Sequence, residues 1–206
     1  MSMYLKRAKP LGRMCQGDIF SNVDVVLANK VVLSDSGNSI SGEVLTYNYC
    51  VALSQECDLL QDFISRKEDA SKHDKYLINV LFAPAYVAEM LRDGTHLKDA
   101  DLAMEKYNSA RWGEISKNNN SRYHFLSSFT NYNVPNLVID FKHMFTLSRE
   151  YFYNEVLDSS YVASLAYLSR ELLSQRFCNY LSRIGLPDDT NEIQTHFDAI
   201  RSGNSA

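Results

Sequence analysis

Residues 160–184, SYVASLAYLSRELLSQRFCNYLSRI, carry the strongest periodic signal in the chain. Tyr161, Leu165, Leu168 and Leu172, then Leu173, Phe177, Tyr180, Leu181 and Ile184, recur at spacings of three and four. That spacing lines apolar side chains along one face of an α-helix. Gly185 and Pro187 follow in the order in which helices end. Such a helix would run about 36 Å, the width of a small domain, so the pattern predicts one long helix closing the core with Leu172 and Phe177 inside it.

A stripe of that size needs a sheet to pack on, and the N-terminal half supplies the strands. Residues 18–33 (DIFSNVDVVLANKVVL) are rich in Val, Ile and Phe and broken by Asn, which predicts two strands. The segment 34–42 (SDSGNSISG) has turn chemistry. Residues 43–54 (EVLTYNYCVALS) alternate and then become continuously apolar, as a strand does when it passes from an exposed edge into a buried sheet. An exposed loop is expected over 65–75 (SRKEDASKHDK), then a buried strand over 76–83 (YLINVLFA) stopped by Pro84. Farther on, helices are predicted over 85–94 and 99–117, the second capped by Asp99 or Asp101. Two short strands follow in RYHFLSSF (122–129) and LVIDFKHMFTL (137–147).

The resulting expectation is an α+β chain forming a single domain over 1–206. It has a basic arm at 1–16, a β-rich part at 17–84, and a mostly helical part with two short strands at 85–206. The sheet is expected as a small SH3-like barrel or a strongly bent antiparallel sheet, extended by helices and closed by the long C-terminal one.

Composition narrows the classes. With 206 residues, 45% of them hydrophobic, and 13 Tyr and 10 Phe, the chain can bury a sizeable core and is too rich in ordering residues to be disordered. No apolar run approaches the roughly 18 residues of a membrane span, and the N-terminus lacks the apolar stretch of a secretory signal, so a cytoplasmic protein with no membrane partner is expected. Cys15, Cys50, Cys57 and Cys178 form no CxxC pair, and reduced thiols are the expected state, although Cys50 and Cys57 could meet across a turn. The net charge of −4 argues against a surface that grips nucleic acid everywhere. The distribution is uneven: Lys6, Arg7, Lys9 and Arg13 give a basic arm, whereas residues 17–64 hold one base against seven acids.

Two resemblances add to this reading. The order QGDIF (16–20), a loop, a strand ending CVALS (50–54), then INVLFAP (78–84) resembles the layout of MazF/PemK-like proteins, small SH3-like barrels that cut RNA as toxins. The Arg-Pro of those toxins is absent ahead of Cys50, so their catalytic arginine has no counterpart. Over most of the chain, SQECDL (54–59), RYHFL (122–126), VIDF (138–141) and LLSQRFCNYLSRIGLP (172–187) look like a family of uncharacterised bacterial proteins with the same motif order. That resemblance implies a shared fold and a bacterial setting linked to defence or mobile elements.

Candidate chemistry is sparse. Cys57, beside Asp58 at the end of an apolar strand, could pair with His124 as a nucleophile and base; the competing expectation is a small buried thiol with Asp58 capping the following turn. Cys57, His73, His96, His124, His143 and His196 offer metal-ligand atoms, but no two of the histidines stand four residues apart, so only tertiary assembly could make a metal site. No Gly-rich loop precedes a helix, and nothing calls for a cofactor. Arg176 and Arg183, seven residues apart and so on one helical face, join the basic arm as candidate phosphate contacts, or else pair with acids and pack their stems on the core. The expected role is that of a nucleic-acid-associated or partner-binding bacterial accessory protein, with an RNA-cleaving enzyme or a Cys57/His124 thiol hydrolase as alternatives.

Overall fold

The computed structural model describes residues 4–5, 12–32, 39–68 and 72–183; Lys6, Arg7, Lys9 and His196 lie outside them. The chain is α+β. Its strands are β1 (Tyr4–Leu5), β2 (Asp18–Val32), β3 (Ser39–Ala52), β4 (Asn79–Val87), β5 (Tyr123–Leu126), β6 (Leu137–Asp140), β7 (Phe145–Ser148) and β8 (Tyr161–Leu165). They form one open antiparallel sheet in the order β1-β8-β2-β3-β4-β6-β5, with β7 lying against β4 beyond the end of β6. The helices are α1 (Glu56–Lys67), α2 (Ala88–Asp93), α3 (Ser109–Ser116), α4 (Arg149–Tyr151), which runs into a π-turn at 152–156, and α5 (Tyr167–Leu181).

Residues 18–32 make one strand rather than two. Asn22 takes a left-handed φ of 54° while Ser21↔Tyr49 and Val23↔Tyr47 keep register on either side, and a register shift between Ala28 and Lys30 absorbs the second break. Asn tolerates such backbone geometry, so breaks that looked like strand ends are kinks within a strand.

The strand β4 likewise runs through Pro84. Both the N–H and the C=O of Leu81 point to the β3 side, where they meet Ser54 and Leu53. By alternation Pro84 faces the opposite edge, between Phe82↔Phe145 and Ala85↔Ile139, where a 3₁₀ turn at 141–143 interrupts the neighbouring strand. The missing N–H has no ladder partner to lose there.

Alternation also explains the apolar runs at 19–20, 50–53 and 80–85, whose two faces are both covered, whereas Val26, Leu27 and Val44 farther along the β2–β3 pair are exposed. Ile19, Val51, Leu53, Ala83 and Ala85 face one core with Leu137, Ile139, Phe141, Leu165, Leu173 and Phe177. Phe20, Cys50, Ala52, Val80 and Phe82 face a second core with Met14, Leu59 and Phe152.

The C-terminal helix is shorter than the spacing predicted. Residues 161–165 pair with β2 as a strand, with Asp18↔Ser164 and Ile19↔Ala163 in register, and the buried Asp18 carboxylate accepts the Ser164 hydroxyl. The 15 residues of α5 span about 22 Å. Only Leu173 and Phe177 of α5 are buried; Leu168, Leu172 and Leu181 are exposed at 60, 48 and 54%. The spacing of Tyr161, Leu165 and Leu168 belongs to two different elements.

Two further helices differ from expectation. The inner face of α1 is Leu59, Asp62 and Ser65, so a helix with polar residues facing inward left no apolar period, and residues 65–67 are its last turn rather than loop. The N-cap of α3 is Asn108, whose side chain accepts from Arg111 N–H; Asp99 and Asp101 lie in and after a separate 3₁₀ turn.

Candidate functional site

The quoted motifs converge, but mostly on one another. Glu56 accepts a hydrogen bond from Gln16 N–H at 2.9 Å and pairs with Arg13 at 2.6 Å and Arg170 at 3.5 Å, which ties the segment before β2 to the start of α1 and to α5. Arg13 is thereby engaged inside the fold. Arg176 donates to the carbonyls of Asn118, Asn120 and Tyr123 at 2.6 to 2.7 Å and so latches α5 to the turn before β5. Burial lowers the pKa of its guanidinium. Arg183 donates to Ser121 at 3.1 Å and lies over the Tyr180 ring. Arg176 and Arg183 do share a face, and that face is spent on the 118–123 segment.

Cys57 is exposed in the first turn of α1, not buried, and its sulfur touches Gln55 and Asp58 at 3.6 and 3.5 Å. The N-cap of α1 is Gln55, with no side-chain cap bond, so Asp58 does not cap the turn. His124 is buried on β5 with its Nδ1 unpartnered, and burial together with the Arg176 charge pulls its pKa down to about 4. No contact joins Cys57 to His124 among the described residues. All four cysteines are free, and Cys50 is fully buried in β3.

The fold assembles a different set of residues around Asp62 of α1. Its buried carboxylate accepts from Arg66 Nε at 2.7 Å, Arg149 Nε at 2.9 Å and Leu77 N–H at 2.9 Å. One acid thus holds two guanidinium groups and the segment leading into β4. Arg66 also donates to the Leu77 carbonyl and lies 4.2 Å over the Tyr76 ring. His73 stacks on the same ring at 4.6 Å, so the Tyr76 phenol carries both a guanidinium and an exposed imidazole. Arg149 lies 3.7 Å over Tyr153, and its two amino groups donate to nothing among the described residues. Arg66, His73, Tyr76, Ser148, Arg149 and the exposed Glu150 line an open cleft of about 480 Å³.

An exposed loop over 65–75, as the sequence predicts, would leave Arg66 and His73 in solvent and so hides this constellation. The signal that could have found it is the spacing of Asp62 and Arg66, one turn apart, ahead of a His–Tyr pair at 73 and 76.

A second polar centre lies where β5 and β6 end. Arg122 makes a bidentate pair with the buried Asp140, Nε–Oδ1 2.8 Å and Nη2–Oδ2 2.6 Å, and Lys142 N–H adds a third bond. The hydrogen bond to Asp140 raises the Arg122 pKa further. His143 Nδ1 lies 3.1 Å from the Tyr86 hydroxyl and 3.2 Å from Asp140 Oδ2. Burial lowers the His143 pKa and raises that of Tyr86, which favours a neutral ring accepting the Tyr86 O–H. His96 packs on Tyr86 with both ring nitrogens buried and without hydrogen bonds; burial lowers its pKa, opposed by Asp140 and by the Met90 carbonyl, which lies outside hydrogen-bonding geometry. Three donors, two from Arg122 and the Lys142 N–H, hold the Asp140 carboxylate, so this centre fixes β5 to β6.

Among the described residues, no three His, Cys, Asp or Glu side chains gather closely enough to hold a metal ion, and no helix is long and apolar enough to cross a membrane. No protein-family model matches the chain. No curated protein matches it either.

Proposed function

We propose that this chain is a bacterial accessory protein of MazF/PemK-like ancestry that associates with nucleic acid, in a setting linked to defence or mobile elements. The layout of QGDIF, CVALS and INVLFAP supports the ancestry. The observation that carries the role is the cleft beside Asp62, where Arg149 keeps its amino groups uncommitted next to the Arg66–Tyr76–His73 stack. A guanidinium fork suits phosphate oxygens, and a planar stack suits a nucleobase. Arg176 and Arg183 do not line this cleft; their donors face the protein's own carbonyls and a serine. No catalytic set enters this reading, and Cys57 and His124 take no part in it.

The test is fluorescence anisotropy of labelled oligonucleotides at low salt against the wild-type chain and Arg149→Ala, with thermal melts to confirm that both are folded. Binding that weakens about tenfold or more in a folded Arg149→Ala supports the proposal. Absence of binding by the wild type at about 50 mM salt sinks it. A second reading, docking of a protein partner, is favoured by Tyr167, Leu168, Leu172 and Leu181, apolar groups that α5 leaves exposed. Loss of a co-purifying partner in Leu168→Lys/Leu172→Lys, with oligonucleotide binding absent throughout, would favour that reading.

A further inference from the structure

We infer that the cleft selects an unpaired strand over a duplex and engages it through one base and one or two phosphates. This inference rests on the nucleic-acid reading above and names the ligand class of the same site. The exposed His73 stacks on the Tyr76 ring, and Tyr76 and Arg66, which also lies over that ring, are fixed by Asp62, Leu77 and Ser65. The stack therefore presents one aromatic face that is already ordered. A base inside a duplex is covered on both faces by its neighbours, so only an unstacked base can lie on that ring.

The charge around the cleft points to a short footprint. At the cleft the charges of Arg66 and Arg149 are offset by Asp62 behind them and Glu150 at the rim, so the residues around it form no tract of excess positive charge to follow a duplex backbone. The uncommitted donors belong to Arg149, with one amino group of Arg66 beside them. For single strands each neutralised phosphate contributes about −0.7 to the slope of log K against log salt, so one or two contacts give a slope of about −0.7 to −1.5. A duplex binder of ordinary size shows a far steeper dependence.

The experiment compares a fluorescein-labelled thymidine oligomer of about 15 nucleotides with a hairpin duplex of similar length, between about 50 and 200 mM KCl. The single strand is expected to bind at least tenfold tighter, with a slope shallower than about −2. His73→Ala, an exposed substitution expected to leave the melting temperature unchanged, should weaken single-strand binding about tenfold and leave the slope as it was, because it removes a stacking surface and no charge. Arg149→Lys, which keeps the charge and loses the fork, should also weaken single-strand binding and leave the slope near its wild-type value. Tighter binding to the hairpin, or single-strand affinity indifferent to His73→Ala, overturns this inference while leaving the nucleic-acid role standing. No binding to either probe overturns both.

Discussion

Arg122 on the turn into β5 and Asp140 at the end of β6 meet fork to fork, with two hydrogen bonds of 2.8 and 2.6 Å and an acid that is fully buried. The two residues, 18 positions apart, come from the motifs RYHFL and VIDF, and their pairing braces the register Tyr123↔Asp140 at the outer end of the sheet.

Removing one member of that pair leaves the other charge stranded. Arg122→Ala should lower the unfolding free energy by about 3 to 5 kcal/mol, whereas Arg122→Met with Asp140→Leu should cost much less. Urea denaturation of the single and double variants measures the difference. Equal losses in both would mean that side-chain volume, not the ion pair, holds this edge.

The His124 ring makes stability depend on acid. Its folded pKa of about 4 lies below the unfolded value of about 6.5, so the unfolded state takes up the proton first. Stability contributed by the neutral ring is therefore complete above about pH 6.5 and falls as pH drops toward 4, by up to about 3 kcal/mol. His96 and His143 are shifted in the same direction and add to the decline. In His124→Gln the slope of unfolding free energy against pH over that window should flatten relative to wild type. An unchanged slope would assign the decline to the other two rings.

Two positions on α5 should respond in opposite ways. Phe177, 9% exposed and packed on Phe141, should cost about 3 kcal/mol or more as Phe177→Ala. Leu172, at 48% exposure, should tolerate Leu172→Asp within about 1 kcal/mol. Melting temperatures decide the matter, and a collapse of Leu172→Asp would place it in an interface absent from the isolated chain.

Thiol accessibility gives a direct reading of the fold. Cys57 and Cys178 are exposed, Cys15 and Cys50 are buried, and burial raises the Cys50 pKa well above its ordinary value. A native-state titration with an aromatic disulfide reagent should modify two thiols promptly and the other two only on unfolding. Prompt reaction of three or four would show that the segment before β2 opens readily.

Legibility in the sequence followed the physics of each element. Short apolar segments marked strands at 122–129 and 137–147, and strands do stand at 123–126 and 137–140, but a 3₁₀ turn at 141–143 splits the second segment into β6 and β7. The long helix does not stand as predicted: Tyr161 and Leu165 satisfy both a period of two and a period of four, and only pairing with Asp18 and Ile19, some 145 positions away, chooses the strand. Of the candidate site residues, Arg176 and Arg183 were correctly set on one face, but no local signal revealed that carbonyls of 118–123 would occupy it. Asp62 escaped notice for the reason that α1 did. A buried acid on the inner face of a helix looks like a solvent face until its two arginines, 4 and 87 positions away, are brought to it.

The return of β8 to β2 has a consequence for the order in which the protein can be made. Asp18 and Ser164 are separated by 146 positions, so β2 emerges from the ribosome long before the strand that pairs with the outer edge of its first residues, Asp18 to Phe20. Until residues 161–165 arrive, that edge offers unpaired backbone groups to any neighbouring chain. The central sheet is completed only once residues 161–165 have been made, which makes the nascent chain up to that point the form of this protein most dependent on chaperones.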